Sequence, residues 1–127
     1  EEAYAFIDDG GDLGFSSFRS LRYVPTRHSD DMRCFSFVFE TDGGGVFYSA
    51  DTCTTETFAA FLQTHPIFER AYMDATDADY VGNIHLPVAQ IAQTVPEAMR
   101  SRVYMMHLNR ASCIDAGTKL GLSCVTI

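Results

Sequence analysis

Basic residues are scarce in this chain. Nine lysines and arginines stand against 17 aspartates and glutamates, a formal charge of -8 with a pI near 4.7. Such a surface repels a phosphate backbone and argues against non-specific nucleic-acid binding, although a local cation could still hold one phosphate against that field. Long apolar runs are missing as well: none approaches the roughly 18 residues of a membrane span, so no membrane partner is expected. No CxxC pair occurs among Cys34, Cys53, Cys113 and Cys124, which makes a zinc ribbon a poor reading. A disulfide framework suits a chain this apolar no better, so reduced thiols and a cytoplasmic setting are expected. The acidic start Glu1-Glu2-Ala3-Tyr4 has no signal-peptide shape. With no initiator methionine, a processed chain or an excised piece of a longer one is expected. No repeat, linker or low-complexity tract divides residues 1–127, which read as one domain.

What is present is a globular composition, 46% hydrophobic and 13% aromatic over 127 residues, enough for one modest core. Residues 3–7 read as a short strand and 8–12 as a turn cluster. Residues 15–26 read as a strand with a bulge, with Pro25 near its end or at a sheet edge because it lacks an N–H. Residues 33–40 place Phe35, Phe37 and Phe39 on one face and Cys34, Ser36 and Val38 on the other. Thr41-Asp42-Gly43-Gly44-Gly45 is a hairpin signal that returns residues 46–50 antiparallel to that strand. Thr52, Thr54 or Thr55 can cap a helix carrying Phe58, Phe61 and Leu62, which Pro66 ends. A strand over 70–73 and an acidic loop over 74–79 follow. A second helix, opened by His85-Leu86-Pro87, buries Val88, Ile91, Ala92 and Val95. Residues 96–100 form a turn or short helix. The strand over 103–106 is apolar throughout, hence covered on both faces. A loop and third helix over 109–120, stopped by Gly121, lead to a last strand over 122–127. Strands first, then strand and helix alternating, give an α/β class with an α+β-like start: a mixed sheet with helices packed on it.

The chain is organised around Val46-Phe47-Tyr48-Ser49-Ala50-Asp51-Thr52, an apolar strand that stops on a carboxylate and a hydroxyl. Open α/β sheets place their chemistry at such strand ends. Two more candidate strands end alike, one on Asp74 and one on His107, and His28 follows the first long strand. Each residue has two readings. Asp51 is a helix-capping turn residue, or a carboxylate bridging two cations. His28 is an exposed loop residue, or a metal ligand through neutral imidazole. His107 is an ordinary core histidine, or a ligand whose second nitrogen is held by an acceptor. Asp74 is a cap, or an acid orienting a histidine or a water. His85 is a cap, or a proton donor to a leaving group. His65 reads as a plain loop residue, and Cys53 as structural.

Thr26-Arg27-His28-Ser29, a Phe-rich strand, a glycine turn and Ser49-Ala50-Asp51-Thr52 together resemble the second half of a metallo-β-lactamase-fold hydrolase. In that family a histidine precedes an antiparallel strand pair ending on a (Gly/Ser)-Asp-Thr tip, whose Asp bridges two metals. Tyr104-Met105-Met106-His107 is similar to the family's last metal histidine. Met73-Asp74-Ala75-Thr76 with His85-Leu86-Pro87 resembles its ribonuclease Z-like and phosphodiesterase-like branches, with an aspartate where ribonuclease Z has a glutamate. The resemblance implies the C-terminal half of an αββα sandwich. It implies two divalent cations, zinc by default, with His28, Asp51 and His107 as ligands and His85 with Asp74 moving the leaving-group proton. It also implies a small-molecule or nucleotide-like ester substrate, with a phosphodiester preferred. The family's leading His-x-His-x-Asp-His is absent, since no two of the four histidines stand two apart. The missing N-terminal half is therefore an expected partner. The chain alone is expected to bind zinc weakly or not at all, to hydrolyse nothing, and to dimerise through the apolar sheet face left open. The alternatives are a non-catalytic interaction domain that keeps the fold without metals, and an unrelated α/β domain in which these side chains lie far apart.

Overall fold

The computed structural model describes residues 18–108 and 110–125, so the strand expected over 3–7 and the turn over 8–12 lie outside the described residues, as do 126 and 127 of the last strand. The described strands are β1 (Phe18–Thr26), β2 (Cys34–Thr41), β3 (Val46–Tyr48), β4 (Arg70–Asp74), β5 (Val103–Met106) and β6 (Ser123–Cys124), in one six-stranded sheet of order β1-β2-β3-β4-β5-β6. Its helices are α1 (Glu56–Thr64), α2 (Val88–Thr94) and α3 (Ala111–Lys119), with a 3₁₀ turn over Glu97–Arg102. The sheet is mixed: β1, β2 and β3 pair antiparallel, while β3 through β6 pair parallel. This is the α/β architecture expected. The bulge falls in β1 between Phe18 and Ser20, and Pro25 sits on the outermost described strand, where a lost donor is cheap.

One face of the sheet carries the core. Val38, Phe47, Ala71, Met73, Val103 and Met105 are buried under the helices. Phe58 and Phe61 from α1 stand 5.2 and 5.3 Å from Phe47, ring centre to ring centre, and Phe68 closes the cluster against Phe58 at 6.3 Å. Truncating Phe47 to alanine would cost about 3–5 kcal/mol, the usual figure for a buried aromatic. The four positions Val88, Ile91, Ala92 and Val95 are all buried, as the helical period requires. Pro66 forces His65 out of the helical region (φ -128°, ψ 66°), which is why α1 stops at Thr64.

The opposite face is aromatic and half open. Register places Tyr23, Phe37, Tyr48, Tyr72 and Tyr104 in one row across five strands. Tyr23 is 53% exposed and Tyr48 39%. β5 was expected to be covered on both faces. Instead Tyr104 and Met106 are only half-buried, because among the described residues the helices occupy the other side alone. His65 also differs from a plain loop residue. Its ring stacks on Phe61 at 4.4 Å and its Nε2 lies 3.0 Å from a Glu40 oxygen, tying α1 to the β2–β3 hairpin. That hydrogen bond holds Glu40 below its ordinary 4.5.

Candidate metal and proton-transfer site

Strand direction assembles the site. β1 runs antiparallel to β2 and β2 to β3, so β1, β3, β4 and β5 all point the same way. Their C-terminal ends share one edge of the sheet, where His28, Asp51, Asp74 and His107 stand. His85 reaches the same edge from the loop before α2, which is stitched to β4 by Thr76 N donating to Leu86 O and Val88 N to Thr76 O, both at 2.9 Å.

Two overlapping groups result: His28, Asp74 and His85, and Asp51, Asp74 and His107, each with ligand atoms within 4.8 Å of one another. Asp74 is common to both. It has no solvent exposure, and its Oδ2 accepts the Thr52 amide at 3.1 Å and lies 2.8 Å from His85 Nδ1. Its own amide donates to Ser49 Oγ at 2.7 Å, so both backbone and side chain are fixed. A carboxylate only accepts, so His85 carries its proton on Nδ1, and Nε2 is left free to take or give one. The same logic applies to His28, which is buried with Nδ1 2.8 Å from the Ile84 carbonyl oxygen, leaving Nε2 as the available ligand atom. His107 Nδ1 lies 3.2 Å from Asp51 Oδ1 and 3.4 Å from Asp74 Oδ1. The three imidazoles form a row, with ring centres 5.5 Å apart for His28–His85 and 5.8 Å for His85–His107.

Backbone strain aims two of these groups. Ala50 (φ 50°) and His107 (φ 57°) are left-handed, and both are non-glycine residues. Each turns the chain sharply just past a strand end, and strain of this kind collects at functional sites. The tip is braced by Thr52, almost fully buried. Its hydroxyl lies 2.8 Å from Thr26 Oγ1, donates toward Arg27 O at 3.1 Å, and accepts Thr54 N at 3.3 Å. Asp51 does not cap α1: the Glu56 amide at the helix start donates to Thr54 Oγ1.

The structure thus brings together all five residues singled out in the sequence, but in a different grouping. Asp51 pairs with His107. His28 joins them only through Asp74 and shares its group with His85. Sequence reasoning did not place Asp74 at the centre, nor Ser49 and Thr52 as its supports. The signal for Ser49 was a small hydroxyl residue at a strand end, whereas Thr52 supports Asp74 through its backbone amide, which side-chain pattern does not mark.

The donor set fits a divalent cation. Imidazole nitrogens and carboxylate oxygens are the ligands of zinc and its first-row relatives. Among the described residues, the ion-pair partners of Asp51 and Asp74 are histidines alone, with no lysine or arginine to neutralise two neighbouring carboxylates. A bound cation would do so.

The fold matches that of metallo-β-lactamase-fold proteins. YhfI from Bacillus subtilis aligns at 16% identity over 88% of this chain with a TM-score of 0.64. An isothiocyanate hydrolase from Delia radicum gut bacteria aligns at 13% identity over 84% with a TM-score of 0.60. A protein of Parabacteroides distasonis assigned as a metal-dependent hydrolase aligns at 17% identity over 92% with a TM-score of 0.52. At these identities the likeness is one of fold. The chain spans about half the length of each, 46%, 50% and 54%. A family profile described as Anti-Pycsar protein Apyc1 matches residues 5–123, and the chain belongs to that family. Curated protein sequences give no match.

Proposed function

We propose that this chain is the C-terminal half of a metal-dependent hydrolase domain, and that the intact protein cleaves a phosphodiester or a related ester. The observation that carries the reading is the buried Asp74 carboxylate gripping His85 Nδ1 at 2.8 Å, at the edge where Asp51 and His107 meet. Asp51 and His107 would hold one cation, and His28 would offer Nε2 to a second, in the group that Asp74 joins to the first. Such cations would supply polarised water and neutralise charge at the scissile group. With a second proton taken up on Nε2 beside the one that Asp74 holds on Nδ1, His85 gives the Nε2 proton to the departing oxygen and is left as the Nδ1-protonated neutral imidazole. That role favours a phosphodiester over a thioester, since an alkoxide leaving group gains more from a proton than a thiolate does. The family is named for opposing Pycsar, and a hydrolytic, degradative part in that setting fits this chemistry.

The half-open aromatic row from Tyr23 to Tyr104 is the face on which the other half of the domain packs, or a second copy in its absence. In the isolated chain Asp74 is engaged by His85 Nδ1, so Asp51 and His107 are left as a two-ligand site, short of the three that a catalytic zinc needs. Hydrolysis of bis(p-nitrophenyl) phosphate by the zinc-loaded intact protein tests the reading. Asp51→Ala and His107→Ala should each reduce the rate to background. Turnover that survives both substitutions would overturn the assignment, and no turnover in the wild type would favour a metal-free interaction domain.

A further inference from the structure

An apolar cavity of about 460 Å³ opens beside His107. Met105 and Met106 at the end of β5 form its floor with Leu108. Ile114 of α3 and Val125 after β6 form its walls. The volume falls within the roughly 300–1,000 Å³ of small-molecule sites. Among the described residues, His107 and Cys124 are the titratable side chains of the lining. Ile114 and Val125 are 38% and 40% exposed, so part of the apolar lining is open to solvent. His107 is the wall shared with the Asp51–Asp74–His107 group, so whatever sits in the cavity is continuous with that group.

The other end of the imidazole row differs in kind. The cavity next to His28 is lined by Arg27, Ser29, Asp30 and Asn83 among others. His85 stands between His28 and His107. A leaving oxygen set on the His28 side of His85 would put the substituent retained on the ester on the apolar, His107 side.

We infer that the cavity between β5, β6 and α3 is the specificity pocket for an aromatic substituent retained on the ester. The inference rests on the hydrolase reading above. Thioether sulfurs contact aromatic rings favourably, and the half-buried Met106 lines the cavity, with Met105 fully buried behind it. A chain of net charge -8 is poorly suited to a second strongly anionic substituent.

Two diesters with the same leaving group test it in the zinc-loaded intact protein: bis(p-nitrophenyl) phosphate and methyl p-nitrophenyl phosphate. The ratio of their kcat/KM values, divided by the ratio of their uncatalysed rates, should favour the aromatic ester by about tenfold or more, the scale on which an apolar pocket discriminates. Ile114→Trp, which fills the cavity, should bring that corrected ratio close to one. Ile114→Ala, which removes a wall, should also lower it and guards against a misfolded tryptophan variant. A ratio unchanged in both variants overturns the pocket. If neither ester is turned over, the hydrolase reading fails by itself, and methyl spectra of ¹³C-methionine-labelled protein still decide the pocket. Phenyl phosphate should then shift the methionine methyls where inorganic phosphate does not. Equal responses to the two would overturn it.

Discussion

Ala50→Gly should leave the protein about as stable as the wild type or slightly more so, against the usual direction of such a change. Ala50 sits at φ 50°, immediately before Asp51. A left-handed L-residue pays roughly 1–2 kcal/mol in Cβ–carbonyl crowding, which glycine does not pay. Against this, glycine's freer unfolded chain costs about 0.5–1 kcal/mol. The half-buried methyl forfeits about 0.4 kcal/mol, half of a fully buried carbon. The balance runs from a loss of about 0.4 to a gain of about 1 kcal/mol, or up to roughly 4 °C of gain in Tm for a chain of this length. Ala60→Gly, exposed on α1, is the matched control and should lose about 1 kcal/mol, the ordinary helix penalty. Thermal and urea unfolding of both variants measure the difference. If Ala50→Gly falls as far as Ala60→Gly, the backbone at the Asp51 tip is not strained, and the reason given for the aim of that carboxylate is wrong.

Other outcomes follow from the same geometry. Thr52→Val keeps the shape but removes a hydroxyl shared by Thr26, Arg27 and Thr54, and should cost about 1–3 kcal/mol in urea unfolding. Glu40 is held below its ordinary 4.5 chiefly by the His65 hydrogen bond. A depressed carboxylate adds stability above its unfolded pKa and loses it as pH falls through the folded value, so Glu40→Gln should flatten the loss of stability below pH about 4.5, read by urea unfolding across that range. His85→Gln in the intact protein should lower kcat by about 10²–10⁴ with KM little changed, and more for an alkyl than for a p-nitrophenyl leaving group. Zinc added to the 127-residue chain should leave its Tm nearly unchanged, and a rise of several degrees would contradict the half-site reading.

Periodicity made the sheet and helices legible. The alternation from Cys34 to Phe39 gave β2, the glycine run gave the hairpin, and Val88, Ile91, Ala92 and Val95 gave the buried face of α2. The convergence of strand ends was also readable, because each of three strands stopped on a polar residue. The grouping was not. Whether His28 meets Asp51 or Asp74 depends on how far the loop before α2 folds back, and that is fixed by backbone bonds between Thr76 and Leu86 that leave no trace in side-chain pattern. His65 was misread for a similar reason. Its stacking on Phe61 and its bond to Glu40 join residues far apart in sequence, and a loop histidine before a proline looks the same whether or not it finds such partners.

Cobalt binding to the intact protein, followed by visible absorption, tests most directly whether the strand ends form one wall of a metal cage. Wild-type protein should develop the ligand-field bands of bound cobalt, and Asp51→Ala and His107→Ala should each weaken or abolish them. Bands of full intensity in both variants would place the metal elsewhere and contradict the site.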